Sequence, residues 1–67
     1  MPRDVTLSGV QIVHTTKLAV QIGWTEHSEE MFAWIPRSLC VDGDTLGEGD
    51  TDVIVAQWFA DKEGLPT

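Results

Sequence analysis

The chain begins with apolar residues that alternate with polar ones, the pattern of half-buried β-strands. Val5 and Leu7 have polar neighbours, and the alternation resumes in a shifted phase at Val10 after Gly9. A glycine at such a break is typical of a bend or bulge. Residues 5–13 therefore predict one long bent strand or two short strands.

The clearest strand signal lies in residues 18–24, where Leu18, Val20, Ile22 and Trp24 alternate with small or polar residues. A turn is predicted before this strand at residues 14–16, and a polar turn follows it at residues 25–28. The next segment, residues 30–35, is short and rich in apolar and aromatic residues, so the two segments predict an antiparallel hairpin. Aromatic residues in alternating strand positions are typical of a core, which is the prediction for Phe32 and Trp34.

Proline and glycine positions divide the following part of the chain into short elements. Pro36 lacks the N–H that a strand ladder needs, so it should end the hairpin and begin a tight turn or one 3-10 turn. Glycine-containing loops are predicted at residues 42–45 and 47–50, with Leu46 between them contributing to the core. A last strand is predicted over residues 52–55.

The hydrophobic period then changes to that of a helix. Residues 56–63 predict a short helix with one apolar stripe, formed by Ala56, Phe59 and Ala60. Gly64 suits the left-handed position that follows a helix, and Leu65 the next position, which contacts the last turn. Pro66 prevents the helix from continuing.

These elements predict one small domain over residues 1–67, mainly β (α+β), with about five antiparallel strands and one short C-terminal helix. A half-open β-barrel or sheet, of the SH3-like or OB-like kind, would protect the strand edges that so small a sheet exposes. The single Cys40 cannot form an internal disulfide, and no cysteine and histidine spacing suits a structural zinc. The fold must rest on apolar packing or on a partner subunit.

Charge adds a feature that the hydrophobic pattern does not show. The chain has a net charge of −7, and residues 26–52, with eight acidic residues against Arg37, carry −7 by themselves. The flanking segments carry +1 and −1, so they cancel. Solubility alone explains acidic loops, and a surface built for a basic partner explains them equally.

Two motifs carry a resemblance. Residues 34–38 have the form W-I-P-[K/R]-S, and residues 58–65 have the form W-x-A-x-x-x-G-L. With a Gly-Asp turn between them, they resemble a group of small proteins of bacteriophages and prophages, over residues 17–65. The glutamine that often follows the serine in that group is Leu39 here. The resemblance implies a phage-borne, cytoplasmic, accessory protein, and some acidic phage proteins of this size are anti-CRISPR-type inhibitors of host defence complexes.

The acidic residues are the main candidate for a binding surface. If residues 48–52 are extended, Glu48, Asp50 and Asp52 share one face at a spacing of about 7 Å, similar to the phosphate repeat of a nucleic-acid strand. Alternatively, the glycines of this loop spread the charges apart. We predict a partner-binding surface formed by Glu26, Glu29, Glu30, Asp42, Asp44, Glu48, Asp50, Asp52 and Trp24. Trp24 stands at a strand end beside the acidic turn, where it suits either the core or an interface anchor.

Other chemistries find less support. Asp42 and Asp44 begin like a calcium-binding loop, but Leu46 and Val53 occupy positions where that loop needs ligands. His14 and His27 fall in predicted turns and are expected to be solvated, and Cys40 is expected to be a small buried apolar residue. No spacing brings a nucleophile to a base, and no phosphate-binding glycine motif is present. We therefore predict no catalysis, no metal and no cofactor.

The leading hypothesis is a non-catalytic phage-type protein-binding module. It would inhibit a host defence, CRISPR-like nucleoprotein complex by presenting an acidic, nucleic-acid-mimicking surface to a basic host protein. One alternative is a single-strand nucleic-acid binder that uses aromatic residues of an OB-like or SH3-like barrel, although four Lys and Arg residues argue against direct nucleic-acid binding. Another is a structural or assembly protein that forms a homodimer. With no long apolar segment, no membrane contact is expected, and the host cytoplasm is the expected compartment.

Overall fold

A computed structural model describes residues 3–67 of the chain, and this part is mainly β. It contains five strands, two 3-10 turns and one α-helix. The strands are β1 (Asp4–Thr6), β2 (Gln11–Thr15), β3 (Ala19–Glu26), β4 (Glu29–Pro36) and β5 (Ile54–Ala56). The 3-10 turns span Arg37–Leu39 and Gly43–Thr45, and helix α1 spans Gln57–Glu63. The fold class predicted from the sequence is confirmed.

The strands form two antiparallel sheets that do not close into a barrel. β1 pairs with β5, with Val5 opposite Val55. The second sheet has the order β2-β3-β4, so β3 is central and β4 is an outer strand. In this sheet Gly23 lies opposite Phe32, and a register shift between Ile12 and His14 marks a β-bulge in β2.

The irregular segment before β5 connects the two sheets through backbone hydrogen bonds. The Ile12 N–H donates to the Asp50 carbonyl at 2.9 Å, and the Gly49 N–H donates to the Ile12 carbonyl at 2.8 Å. Further along, the Leu7 N–H donates to the Val53 carbonyl at 2.8 Å. These bonds satisfy backbone groups that an open sheet edge would leave to solvent. The half-open arrangement that we predicted is the one observed.

The core lies between the inner faces of the two sheets and helix α1. Val20, Ile22 and Ile35 of the larger sheet are fully buried, as are Val53 and Val55 beside β1. The remaining buried apolar residues are Leu7, Val10, Ile12, Phe59, Ala60 and Leu65. Val20, Ile22 and Ile35 share one face of their sheet because side chains alternate along a strand.

The predicted strands of the N-terminal half exist, with some boundaries moved. The first segment forms two short strands, and Gly9 between them has φ 70°, which agrees with a bend at the glycine. The turn predicted at residues 14–16 is wrong by two residues, because β2 continues to Thr15. Leu18 lies outside β3 and is 77% exposed, so it does not belong to the apolar face of that strand.

The prediction that Phe32 and Trp34 lie in the core is wrong. Phe32 is 54% exposed and Trp34 is 47% exposed, although both lie in β4. The strand buries Ile35 instead, and Met31 and Ala33, which share its face, are half-buried. Because neighbouring side chains point to opposite faces, burying Ile35 directs the two aromatic residues outward.

The C-terminal helix ends as predicted. Gly64 has φ 67°, a left-handed conformation that glycine adopts without the steric cost of a Cβ atom. The Leu65 N–H donates to the Ala60 carbonyl at 2.9 Å, and the Leu65 side chain is buried. This is the Schellman arrangement, in which a glycine and an apolar residue close the helix and contact its last turn.

Candidate functional site

The eight acidic residues of the predicted surface are all exposed, and the structure divides them into two groups. The hairpin acids flank the β3–β4 turn, and they are Glu26, Glu29 and Glu30. The loop acids lie in the connection between β4 and β5, and they are Asp42, Asp44, Glu48, Asp50 and Asp52. Because none of these side chains is buried, water solvates the carboxylates and leaves them accessible to a partner.

The loop acids do not form the extended row that would imitate a phosphate strand. Residues 47–50 form a turn in which the Asp50 N–H donates to the Gly47 carbonyl at 3.1 Å. The Gly47 N–H in turn donates to the Asp50 Oδ2 atom at 2.9 Å, and Gly49 has φ 92°. The row that an extended segment would form is therefore interrupted at residues 47–50.

Arg37 is the single basic residue of the acidic segment, and it holds the loop together from within. Its guanidinium donates from Nε to the Thr16 carbonyl at 3.0 Å. Its NH1 group donates to the Gly43 carbonyl at 2.6 Å and to the Leu46 carbonyl at 3.0 Å. The only arginine of residues 26–52 is therefore engaged by three backbone carbonyls, and its charge-assisted bonds go to none of the carboxylates.

The close contact between the two 3-10 turns also depends on Gly43. This glycine is buried, and a Cβ atom placed on it would overlap with the Arg37 carbonyl group. A residue with a side chain would push the second 3-10 turn away and lengthen the bonds from the guanidinium. Arg37 and Gly43 together set the position of the loop acids relative to β4.

An aromatic surface lies on the outer face of the β2-β3-β4 sheet. Phe32 and Trp34 project from β4, and the His14 ring meets the Trp34 ring edge-on, with centroids 5.8 Å apart and planes at 85°. Val13, 40% exposed, extends this surface across β3 to β2. We call Val13, His14, Phe32 and Trp34 the outer aromatic face. A contiguous exposed patch of this kind is typical of interaction sites.

An open groove of about 600 Å³ lies at the end of the outer aromatic face nearest the hairpin acids. Phe32 and Glu30 of β4 line one side of it, and Val13 of β2 lines the other. Thr51 also reaches the groove. Of the acidic residues of the predicted surface, Glu30 lines this groove, and the loop acids are represented there only by their sequence neighbour Thr51.

Trp24 occupies an intermediate position that fits both of its predicted roles. It is half-buried and packs against the core, and it also lines the groove beside Thr25. Its partner across the hairpin is Met31, on the inner face of β4. The indole therefore belongs mainly to the inner layer, with part of its surface available at the groove.

Cys40, His14 and His27 lie in three different parts of the fold. Cys40 is half-buried against the core, and burial raises the pKa of its thiol, an effect that the nearby Arg37 charge partly opposes. A raised pKa keeps the thiol protonated and less nucleophilic at neutral pH. His14 lies in β2 rather than in a turn, and His27 lies exposed in the β3–β4 turn.

Within residues 3–67, no group of three or more His, Cys, Asp or Glu side chains could hold a metal ion. The helix of the described range, α1, is too short to cross a membrane.

The outer aromatic face could have been found from the sequence by counting positions along the hairpin. A two-residue turn at His27 and Ser28 places Phe32 opposite Gly23 and leaves Ile22 on the other face. Phe32 and Trp34 also lie on the same face of the strand as the charged Glu30, which indicates that this face is exposed to solvent. The sequence-based prediction placed them in the core because they are aromatic.

Comparison with known proteins gives no match: no protein family, no curated protein and no solved structure is significantly similar to the chain.

Proposed function

We propose that the chain is a non-catalytic protein-binding module whose acidic surface engages a basic, nucleic-acid-handling surface of a partner protein. One observation carries the proposal: the eight acidic residues are exposed, while Arg37, the basic residue among them, is engaged by backbone carbonyls. With the Arg37 charge counted, residues 26–52 keep a net charge of −7, and the exposed carboxylates that carry it attract a positive surface from a distance.

The proposed partner follows from this charge and from the phage resemblance. A protein that handles nucleic acid presents lysine and arginine side chains in a groove, and an acidic domain can occupy that groove. In the phage setting, the partner would be a host defence complex of the CRISPR type, and occupation of its groove would inhibit it. Because residues 47–50 turn, the mimicry would arise from clustered carboxylates rather than from a regular row.

The test compares two charge reversals that change the net charge equally. Glu48→Lys with Asp52→Lys alters the loop acids, and Asp50 is left intact because its carboxylate accepts the Gly47 N–H. Asp61→Lys with Glu63→Lys alters exposed residues of α1 and serves as the control. Each protein is immobilised and exposed to bacterial lysate, and captured proteins are identified and then challenged with duplex DNA.

The expected result is a captured nucleic-acid-binding protein that competing DNA releases. Capture should fall steeply with NaCl up to about 0.5 M, because screening shortens the range of the charges. The loop reversal should abolish capture and the helix reversal should preserve it. Equal loss in both variants would mean that net charge alone governs the interaction, which contradicts the proposal of a local acidic surface.

A second candidate function is single-strand nucleic-acid binding, and the exposure of Phe32 and Trp34 specifically favours it. Exposed aromatic rings on a sheet can stack on bases. The charge of the protein argues against this candidate. A chain with four Lys and Arg residues and a net charge of −7 repels the phosphate backbone of a nucleic acid. A gel shift with unstructured oligonucleotides at low salt tests this candidate, and Phe32→Leu with Trp34→Leu should abolish any shift that depends on stacking.

A further inference from the structure

The groove beside the hairpin acids has a shape that is set by the absence of a side chain at Gly23. A Cβ atom at this position would lie 3.2 Å from a carbon of the Phe32 ring and 3.3 Å from Cγ1 of Val13. The ring and the valine therefore approach the strand backbone from opposite sides of β3. Phe32 and Val13 close over the Gly23 backbone and contribute to the lining of the groove, which has a volume of about 600 Å³.

The groove combines an aromatic ring with a carboxylate. Phe32 is 54% exposed, so much of its ring is available to a ligand. Glu30 lies two residues away on the same face of β4, opposite Thr25, and is exposed at the end of the groove. An aromatic face and a carboxylate both attract a cation, the first through its quadrupole and the second through its charge.

We propose that this groove binds the side-chain cation of an arginine or lysine on a partner protein. The inference rests on the proposed function and deepens it, because it assigns one anchoring contact to a specific part of the surface. The aliphatic stem of the side chain would lie over Val13 and the exposed surface of the Phe32 ring, which close over Gly23, and its charged end would lie beside Glu30. The neighbouring Glu26 and Glu29 add to the local negative potential.

Charge complementarity selects this occupant over two others. A purely apolar side chain would fill the groove but leave the carboxylate without a partner. A second copy of this chain would bring a further net charge of −7 toward the hairpin acids, which opposes association at low salt. A cationic side chain satisfies both the ring and the carboxylate.

The experiment uses the full chain and four short peptides, so it does not depend on knowing the partner. The peptides have the form Ac-Gly-Ser-X-Ser-Gly-NH2, where X is arginine, lysine, citrulline or norleucine. Citrulline keeps the shape of arginine without its charge, and norleucine keeps the stem of lysine without the ammonium group. Each peptide is titrated into isotopically labelled protein, and backbone amide shifts are followed by nuclear magnetic resonance.

The expected result is a saturable shift of the amides of Val13, Gly23 and Phe32 with arginine and lysine. Citrulline and norleucine should bind about three- to tenfold more weakly, as expected for the loss of a cation–π contact and an exposed ion pair. Glu30→Gln and Phe32→Leu should each weaken arginine binding by about threefold or more. Glu63→Gln, an exposed change of equal charge on α1, is the control and should leave binding unchanged.

Several results would overturn the inference. Equal binding of norleucine and arginine would mean an apolar occupant, and shifts spread over residues 42–52 would mean diffuse attraction to the loop acids. Concentration-dependent shifts without peptide at these three amides would mean that a second copy occupies the groove. Since Phe32 and Glu30 are exposed, both variants should fold, and their amide spectra report this directly.

The two proposals can fail separately. If the loop reversal abolishes partner capture while arginine leaves the amides of Gly23 and Phe32 unshifted, the groove is not the anchor but the acidic module stands. If arginine binds at the groove and no nucleic-acid-binding protein is captured, the groove binds cations but the proposed partner class is wrong.

Discussion

At the residue scale, Arg37 is the residue whose role changes most between sequence and structure. In the sequence it is a single positive charge among eight acids. In the structure its planar guanidinium joins the β2–β3 turn, the second 3-10 turn and Leu46 through three carbonyl oxygens. Its charge therefore organises the backbone of the acidic loop, and it does not reduce the field of the carboxylates by pairing with them.

Replacing Arg37 with lysine should destabilise the protein by about 1–2 kcal/mol. A lysine ammonium retains the charge but cannot reach the Thr16, Gly43 and Leu46 carbonyls with the geometry of Nε and NH1. Urea unfolding followed by tryptophan fluorescence measures the change. Arg3→Lys, the same exchange at an exposed position, is the control and should change stability by less than about 0.5 kcal/mol. Equal midpoints for both variants would refute the structural role of the guanidinium.

At the element scale, the β3–β4 hairpin decides which residues are available for binding. Its tight turn at His27 and Ser28 determines the register, and the register places Phe32 over Gly23 on the outer face. Both turn residues have positive φ values, 51° for His27 and 66° for Ser28. This is the conformation of a type I′ turn, which favours asparagine followed by glycine.

The double substitution His27→Asn with Ser28→Gly should stabilise the protein by about 0.5–1 kcal/mol. Ser28→Gly removes the steric cost of a Cβ atom in the left-handed region, and asparagine adopts that region more readily than most residues. The entropy cost of glycine offsets part of this gain. The melting temperature should therefore rise. Ser38→Gly, in the first 3-10 turn, where φ is not positive, is the control and should lower stability. A lower melting temperature for the variant with His27→Asn and Ser28→Gly would contradict the assignment of a type I′ turn at these two residues.

At the scale of the whole molecule, the charge acts on stability as well as on binding. The principal dimensions are 34 × 25 × 16 Å. The Debye length is about 30 Å in 0.01 M salt, so nearly all the carboxylates interact with one another under that condition. In about 0.5 M salt it falls to about 4 Å, and only immediate neighbours still repel.

The free energy of unfolding should therefore rise by about 1 kcal/mol between 0.01 and 0.5 M NaCl, because screening removes self-repulsion in the folded state. Urea unfolding at a series of NaCl concentrations measures this slope. Glu48→Gln with Asp52→Asn should flatten it, since two of the exposed acidic charges are lost. A stability that does not respond to NaCl in the original chain would contradict the view that the acidic groups repel one another appreciably.

Local sequence patterns determined most of the elements. Alternation predicted β3, the glycine and proline positions predicted the bend at Gly9 and the 3-10 turn after Pro36, and the sequence Gly64-Leu65-Pro66 predicted the end of α1. These features depend on interactions within a few residues, such as strand parity, allowed φ values and missing N–H groups. The acidic character of residues 26–52 was likewise evident from the amino-acid sequence.

Tertiary structure decided the features that depend on distant residues. The outward direction of Phe32 and Trp34 follows from which side of the sheet meets the core, and the groove requires Val13, Gly23 and Phe32 to meet across three strands. The bonds of Arg37 join residues separated by up to 21 positions. Local patterns do not specify such contacts, because the face that each element buries depends on all the other elements that pack against the same small core.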